Sequence, residues 1–206
     1  MFRRHVLTGA LALTAAPALA QAPAGPPSGP PTRIRGTIVS VAGNVMKVKS
    51  RDDRVLDVEL LPSLTVVSLK KVELSSIKDT DFVGIASRTG ADGKMTAIEV
   101  LVFPEAMRGT GEGSYPWDLE PGSTMTNGTV KGAVTAANGR EITVAYKDQS
   151  NKITVLPNAP VVTFQPADRA DLLAGKKIFA VSPANPEGTL KIGRVTVEKD
   201  GVPPPM

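Results

Sequence analysis

Short runs of β-branched and other apolar residues recur along the chain from residue 33 onwards. In the first half, turn-forming residues separate six such runs, which are Ile34–Val41, Val45–Lys49, Val55–Leu60, Thr65–Leu69, Phe82–Ala86 and Met95–Phe103. Runs of this length bounded by turn residues are typical of strands. The one helical candidate is short, Leu74–Lys78. We therefore predict an all-β fold of small antiparallel β-barrels, OB-like or similar, each with about six short strands and one short helical turn.

The second half of the chain repeats the order of the first at a spacing of 95 or 96 residues. The matched features are Arg35-Gly36 with Lys131-Gly132, Leu61-Pro62 with Leu156-Pro157, and Asp92-Gly93 with Glu187-Gly188. A period this long exceeds the unit of a solenoid and indicates a duplicated domain. We place the two copies at residues 33–103 and 126–199, as tandem barrels.

The last strand of each copy changes its apolar phase partway along. Met95 and Ala97 are apolar at odd positions, whereas Val100 and Val102 are apolar at even positions. Strand side chains alternate with period two, so a change of phase needs one extra residue. We predict a β-bulge near Ile98. The same reasoning predicts a second bulge near Gly193 in the other copy.

The two ends of the chain have the composition of a targeting segment and of tails. Residues 1–20 combine two Arg, an apolar run and an Ala-Leu-Ala cleavage site, which predicts a signal peptide and a periplasmic or secreted protein. Arg3-Arg4 fits both ordinary secretion and twin-arginine export. Residues 21–32 form a Pro/Gly-rich tether, and residues 200–206 form a Pro-rich tail that we expect to be extended and exposed, although a polyproline segment can also dock on a groove.

Composition excludes several kinds of chemistry. The only histidine, His5, lies in the signal peptide, and the chain has no cysteine. The mature protein therefore has no imidazole or thiol for a catalytic triad, a zinc site, a haem or a disulfide. We predict no enzyme activity, no catalytic residue, no metal site and no cofactor. The net charge is +4, and Arg3 and Arg4 supply two of these charges, so the interspersed remainder does not indicate a nucleic-acid partner.

The segment between the copies, residues 104–125, is rich in Gly and Pro and is called the connector. It holds the only Trp of the chain. Aromatic and charged side chains concentrated in one loop are typical of a binding site, although the same aromatics could instead be buried as a plug between two domains. The candidate ligand-binding residues are Arg108, Glu112, Tyr115, Trp117 and Asp118.

The connector also carries a resemblance. The sequence RGTGEGSYPWDLEPGSTMTN, with the copies around it and the terminal PPPM, resembles exported bacterial proteins of unknown function that have duplicated small β-barrel domains. These proteins are often labelled metal ABC transporter permeases. The resemblance implies an exported location and a barrel fold, and it implies no particular activity. The permease label does not suit this chain, because no segment after the signal is apolar enough to span a membrane.

Two functions follow from these observations. The first is a non-catalytic, soluble binding or cell-envelope accessory module, whose partner is an unknown envelope component or small molecule. The alternative is a periplasmic metal-transport accessory protein that binds a hard cation through carboxylates, since hard cations prefer oxygen ligands. The carboxylates available in the connector are Glu105, Glu112, Asp118 and Glu120.

Overall fold

A computed structural model describes residues 29–132 and 140–205. The predicted signal peptide, most of the predicted tether, residues 133–139 and Met206 lie outside the described residues. Twelve strands make up nearly all of the regular structure: β1 Thr32–Ala42, β2 Val45–Ser50, β3 Val55–Lys71, β4 Phe82–Thr89, β5 Met95–Val102, β6 Gly113–Pro116, β7 Ser123–Val130, β8 Arg140–Tyr146, β9 Gln149–Val155, β10 Val161–Pro166, β11 Lys177–Ser182 and β12 Leu190–Val197. Three single 3₁₀ turns accompany them, at Leu74–Ser76, Glu105–Met107 and Arg169–Asp171. Among the described residues, no helix is long and apolar enough to cross a membrane.

The strands close into two five-stranded rings. Barrel A runs β1, β2, β3, β12, β11 and back to β1, and barrel B runs β5, β4, β7, β8, β9 and back to β5. One pair in each ring is parallel, β3 with β12 and β5 with β9, and the other pairs are antiparallel. A closed ring has no free edge to pair with other chains. The prediction of an all-β barrel fold is therefore confirmed.

Each barrel takes strands from both halves of the chain. Barrel A combines β1–β3 with β11 and β12, while barrel B combines β4 and β5 with β7–β9. The segments 33–103 and 126–199 therefore do not close on themselves as separate tandem barrels. The chain instead crosses between the barrels after β3 and again after β10. When a strand pattern repeats, a strand can pair with strands of its own copy or with the equivalent strands of the other copy. The pattern alone therefore does not distinguish two tandem barrels from two barrels that share strands.

Strands β3 and β10 join the two barrels in one continuous sheet. They pair antiparallel, with Leu69 opposite Phe164, and β10 pairs in parallel with β5. The closing pairs have matching registers: Val58 lies opposite Leu190 in barrel A, and Ile153 lies opposite Met95 in barrel B. Val58 and Ile153 are 95 residues apart in the sequence, and so are Met95 and Leu190.

A separate apolar core fills each barrel. The fully buried members that line the two interiors are Ile34, Ile38, Met46, Val48, Val58, Leu60, Ile178, Ile192, Val195 and Val197 in barrel A, and Val83, Ile85, Val100, Val130, Ile142, Val144, Ile153 and Val155 in barrel B. The short turns supply further apolar side chains, Leu172 to barrel A and Leu74 to barrel B. Burying each such side chain stabilises the fold by roughly 1.5–3 kcal/mol.

Both predicted irregularities are present. In barrel B, Ala86 lies opposite Glu99 and Ser87 opposite Ala97, which leaves Ile98 as the extra residue of β5. In barrel A, the register with β3 breaks at Gly193: Ile192 lies opposite Leu60 and Arg194 opposite Thr65, so residues 61–64 of β3 face a single residue of β12. Because of these breaks, apolar residues on both sides of each bulge face the barrel interior. The bulges therefore leave Glu99 and Arg194 on the outer surfaces of the barrels.

The first strand of the second copy begins earlier than the sequence comparison suggested. A Cβ added to Gly36 would lie 2.3 Å from the Lys49 carbonyl oxygen, and one added to Gly128 would lie 2.2 Å from that of Ala145. Gly128 thus holds the position equivalent to Gly36, because only glycine allows the neighbouring strand so close. The alignment of Arg35-Gly36 with Lys131-Gly132 was wrong by four residues. Gly132 instead lies after β7 with a φ of +81°.

Candidate functional site

A cavity of about 300 Å³ lies between the outer faces of the two barrels. Strands β4 and β5 of barrel B form one wall, and β11 and β12 of barrel A form the opposite wall. Leu69 and Phe164 lie where β3 meets β10, and the connector and the C-terminal tail complete the enclosure. This central cavity is mostly apolar, and its volume is at the lower end of the range for small-molecule sites.

Arg35 is the main charged group in the cavity wall. It lies on β1, its side chain is 2% exposed, and its Nη2 donates to Asp118 Oδ1 at 3.2 Å. The guanidinium carbon is 4.3 Å from the Phe179 ring centroid and 5.2 Å from that of Trp117. Burial lowers the pKa of Arg35 to about 10, and the Asp118 charge opposes this shift, so the group is charged at neutral pH. Within the part of the chain that the structure describes, its Nε and Nη1 are buried without a hydrogen-bond partner.

Glu99 is the buried carboxyl of the same cavity. It lies on β5, directly after the bulge at Ile98, and is 8% exposed. Burial raises the pKa of Glu99 to about 7, and the charge of Arg35 acts in the opposite direction. A carboxyl with this pKa is partly protonated at neutral pH. It can therefore donate a hydrogen bond as well as accept one.

Tyr115 and Trp117 present their rings to the cavity from the connector. Their centroids are 6.1 Å apart in an edge-on arrangement, and Trp117 is also 6.1 Å from Phe179 of barrel A. Both are half-buried. The indole Nε1 of Trp117 is buried without a hydrogen-bond partner. Trp117 is therefore neither a fully buried plug nor an exposed platform, but a wall of the cavity with a free donor.

The connector is attached to both barrels. Its strand β6 pairs with β7 of barrel B, where Asn127 Nδ2 donates to the Thr110 carbonyl at 3.0 Å. On the other side, Arg51 of barrel A donates to the carbonyl oxygens of Asp118 and Leu119 at 2.7 and 3.0 Å. These contacts fix the aromatic rings of the connector relative to both walls.

The candidate residues predicted from the sequence fall into three places. Tyr115 and Trp117 line the cavity, and Asp118 lies behind its wall as the partner of Arg35. Arg108 instead pairs with Glu105 at 2.6 Å and donates to the Thr80 carbonyl. Glu112 accepts a hydrogen bond from the backbone N–H of Lys147 at 3.0 Å. The cavity therefore brings together two of the five predicted residues.

The connector carboxylates are held in separate contacts. Glu105 pairs with Arg108, Glu120 with Arg88, and Asp118 with the arginines of barrel A. Within residues 29–132 and 140–205, no group of three or more His, Cys, Asp or Glu side chains is positioned to hold a metal ion.

The C-terminal tail folds back onto the cavity, contrary to the prediction of an exposed segment. Asp200 and Gly201 both have positive φ, and Lys199 forms a bridge with Val202. An Asp-Gly pair with two positive φ values is the pattern of a tight type I′ turn. After this turn Pro204 is buried and, with Pro205, lines the central cavity.

The strands supply cavity residues that were not predicted from the sequence. Arg35, Glu99, Asn127, Phe179 and Arg194 all line the cavity, yet none lies in the connector. One available signal was a charged residue within a largely apolar strand: Glu99 is the single charged residue of β5, and Arg35 is one of two in β1. A second signal was the bulge itself, because it determines which side chains leave the barrel interior.

Searches of protein-family models, curated proteins and solved structures found no match to this chain. The function of the cavity therefore has to follow from its own geometry. That geometry combines an apolar enclosure with a buried cation, a buried carboxyl and unpartnered polar atoms. Such a combination suits the binding of a small molecule that has both an apolar body and a polar group.

Proposed function

We propose that this protein is a non-catalytic binding module that holds a small molecule in the central cavity. The observation that carries the proposal is that three residues lining this apolar cavity have buried polar atoms without a hydrogen-bond partner among the described residues: Nε and Nη1 of Arg35, Nε1 of Trp117 and Oδ1 of Asn127. A buried polar atom without a partner costs about 1–3 kcal/mol. A ligand that hydrogen-bonds these atoms recovers that cost, which favours binding at this place.

The construction of the cavity supports the same function. Its walls come from two barrels with their own cores, while the connector and the tail cover the space between them. Ligand sites commonly lie between rigid units of this kind. The candidate functional residues are therefore Arg35, Glu99, Tyr115, Trp117 and Asn127.

The setting of this function is also part of the proposal. Residues 1–20 support export to the periplasm or the outside of the cell, where the module would serve as an envelope accessory or carrier. The equal registers of the two closing strand pairs support an origin by internal duplication. In this account the two copies exchanged strands, and the interface between the two barrels became the site. A cation-binding role has no comparable observation in its favour, since the connector carboxylates are held by separate partners.

Narrowing the cavity is expected to weaken ligand binding. Val181 lies on β11, lines the cavity and is 40% exposed. In the variant Val181→Phe, a larger side chain at this position takes up ligand space. Binding of small aromatic fragments of different charge, measured by ligand-detected NMR, is expected to fall about tenfold or more, the equivalent of about 1.4 kcal/mol.

The matched control is Val39→Phe. Val39 is 46% exposed on β1 and does not line the cavity, so the same substitution there should leave fragment binding unchanged. The proposal fails if no fragment binds the wild-type protein, or if both variants lose binding equally.

A further inference from the structure

We infer that the ligand of the central cavity is a small carboxylate with an apolar, preferably aromatic, body. This inference rests on the proposed function and names the chemical class that the cavity would take. Its basis is the placement of one buried guanidinium and one indole N–H among aromatic rings.

The donors of the cavity favour an anion. Among the described residues, two donor atoms of the Arg35 guanidinium and the indole Nε1 of Trp117 are buried without hydrogen-bond partners, against one such acceptor in the lining, Oδ1 of Asn127. Unpartnered donors therefore outnumber unpartnered acceptors by three to one. The ring centroids of Trp117 and Phe179 are 6.1 Å apart. The guanidinium carbon of Arg35 is 5.2 Å from the Trp117 centroid and 4.3 Å from the Phe179 centroid. A negatively charged acceptor gains more from such donors than a neutral one, because charge-assisted hydrogen bonds are about twice as strong.

The charges around the cavity also favour an anion. The charged and titratable groups on its wall are Arg35, Arg194, Glu99 and Tyr115. Arg194 lies at the exposed rim, where its Nη2 is 3.3 Å from Met107 Sδ. Asp118 pairs with Arg35 from behind this wall, but Arg33 and Arg51 also lie 3.8 Å from Asp118, so guanidinium groups outnumber carboxyls around the cavity. This excess of positive charge increases further when Glu99 is protonated. This positive charge would repel a cationic ligand, and the cavity wall offers such a ligand too few hydrogen-bond acceptors.

The remaining surface favours an apolar and planar body. Phe164, Phe179, Tyr115 and Trp117 border the space together with aliphatic side chains. Aromatic rings stack edge-on or offset against one another and add to the gain from burial. A volume of about 300 Å³ is that of about ten water molecules, so the ligand is small.

A carboxylate suits the site better than a phosphate group. Only Arg35 combines deep burial with a positive charge, and Glu99 lies on the same wall. A phosphate ester carries up to two charges and three acceptor oxygens and would need more cations than this. A carboxylate has a single charge and two oxygens. It could accept hydrogen bonds from Arg35 and Trp117 and, when Glu99 is protonated, from Glu99.

The experiment compares four probes of nearly equal size on the wild-type protein by calorimetry at pH 6. They are benzoate, benzamide, benzylammonium and phenylphosphonate. We expect benzoate to bind at least about tenfold more tightly than benzamide, which has the same shape without the charge. Benzylammonium and phenylphosphonate are expected to bind more weakly than benzoate. No variant is needed for this comparison, so a folding defect cannot obscure it.

Two variants assign the preference to the cavity. Arg35→Gln is expected to reduce benzoate binding about tenfold while benzamide binding changes little. Because Arg35 is deeply packed, Arg194→Gln at the exposed rim provides a second variant, with a smaller loss for benzoate. Arg54→Gln is the control, since Arg54 pairs with Asp52 at the surface outside the cavity.

The possible failures are distinguishable. If benzamide binds as tightly as benzoate, or phenylphosphonate binds more tightly, the carboxylate inference is overturned while the proposed binding function stands. If none of the probes binds, and the wider fragment set fails as well, the proposed function is overturned with it.

Discussion

Replacing Glu99 with Gln is expected to stabilise the protein at pH 8 by about 3 kcal/mol. The buried carboxyl has its pKa raised to about 7 from an ordinary value of 4.5. Each unit of difference between the folded and unfolded pKa corresponds to about 1.36 kcal/mol. At pH 8 the wild-type protein must hold Glu99 ionised in an apolar wall, whereas the Gln side chain has no charge to bury.

The sign of the effect follows from proton binding. The folded protein holds the Glu99 proton more tightly than the unfolded chain does, so this group favours folding at pH values below 4.5. That contribution is lost as the pH rises from about 4.5 through about 7. The free energy of unfolding of wild type should therefore decline over this window relative to that of Glu99→Gln, and the two should converge near pH 4.

Urea denaturation at pH 4, 6 and 8 measures this difference. Glu73→Gln is the control, because Glu73 is an exposed carboxylate that caps no helix with its side chain. It should show no comparable pH-dependent gain. Parallel unfolding curves for wild type and Glu99→Gln across the three pH values would show that Glu99 is not held in a desolvated site.

Replacing Asp118 with Asn is expected to destabilise the protein by about 2 kcal/mol. Asp118 provides the carboxylate for the buried guanidinium of Arg35 at 3.2 Å, and Arg33 and Arg51 approach it at 3.8 Å. Removing one partner of a buried pair leaves an uncompensated charge, which typically costs about 3–5 kcal/mol. We expect a smaller loss because the Asp118 side chain is 36% exposed and water can partly solvate the pair.

Asp57→Asn is the matched control for this variant. Asp57 pairs with Lys47 at 2.6 Å, and both side chains are about half exposed or more. Exposed pairs contribute about 0–1 kcal/mol, so chemical denaturation should show little change. If the two variants lose equal stability, Asp118 does not compensate a buried charge. A shift in Trp117 emission only in Asp118→Asn would further link the pair to the cavity wall.

The sequence was sufficient for features that depend on local periodicity. Short β-branched runs bounded by turn residues predicted the all-β class. The change of phase after Ala97 located the bulge at Ile98, because side chains along a strand alternate with a period of two. The register break at Gly193 followed from the same reasoning.

The sequence was insufficient for features that depend on which surfaces meet. Barrels that exchange strands between the two halves of the chain have the same strand pairings as two separate barrels. No local sequence pattern therefore indicates the exchange. The positions of Arg35 and Glu99 on a shared cavity depend on this exchange, because their strands β1 and β5 belong to different barrels. Tyr115 and Trp117 were found because an unusual composition marked their segment. The three prolines of the tail indicated an extended, exposed segment, but the turn at Asp200-Gly201 directs Pro204 and Pro205 onto the cavity.

The measurement that tests the account most directly follows the indole N–H of Trp117 in a ¹H–¹⁵N NMR titration with benzoate. The chain has a single Trp, so it gives one indole resonance. We expect this resonance to shift saturably and downfield as the buried Nε1–H finds an acceptor, with the same affinity in Val39→Phe and a weaker one in Val181→Phe. An indole resonance that stays in place at saturating benzoate, while other parts of the protein respond or nothing responds, would contradict a ligand site between the two barrels.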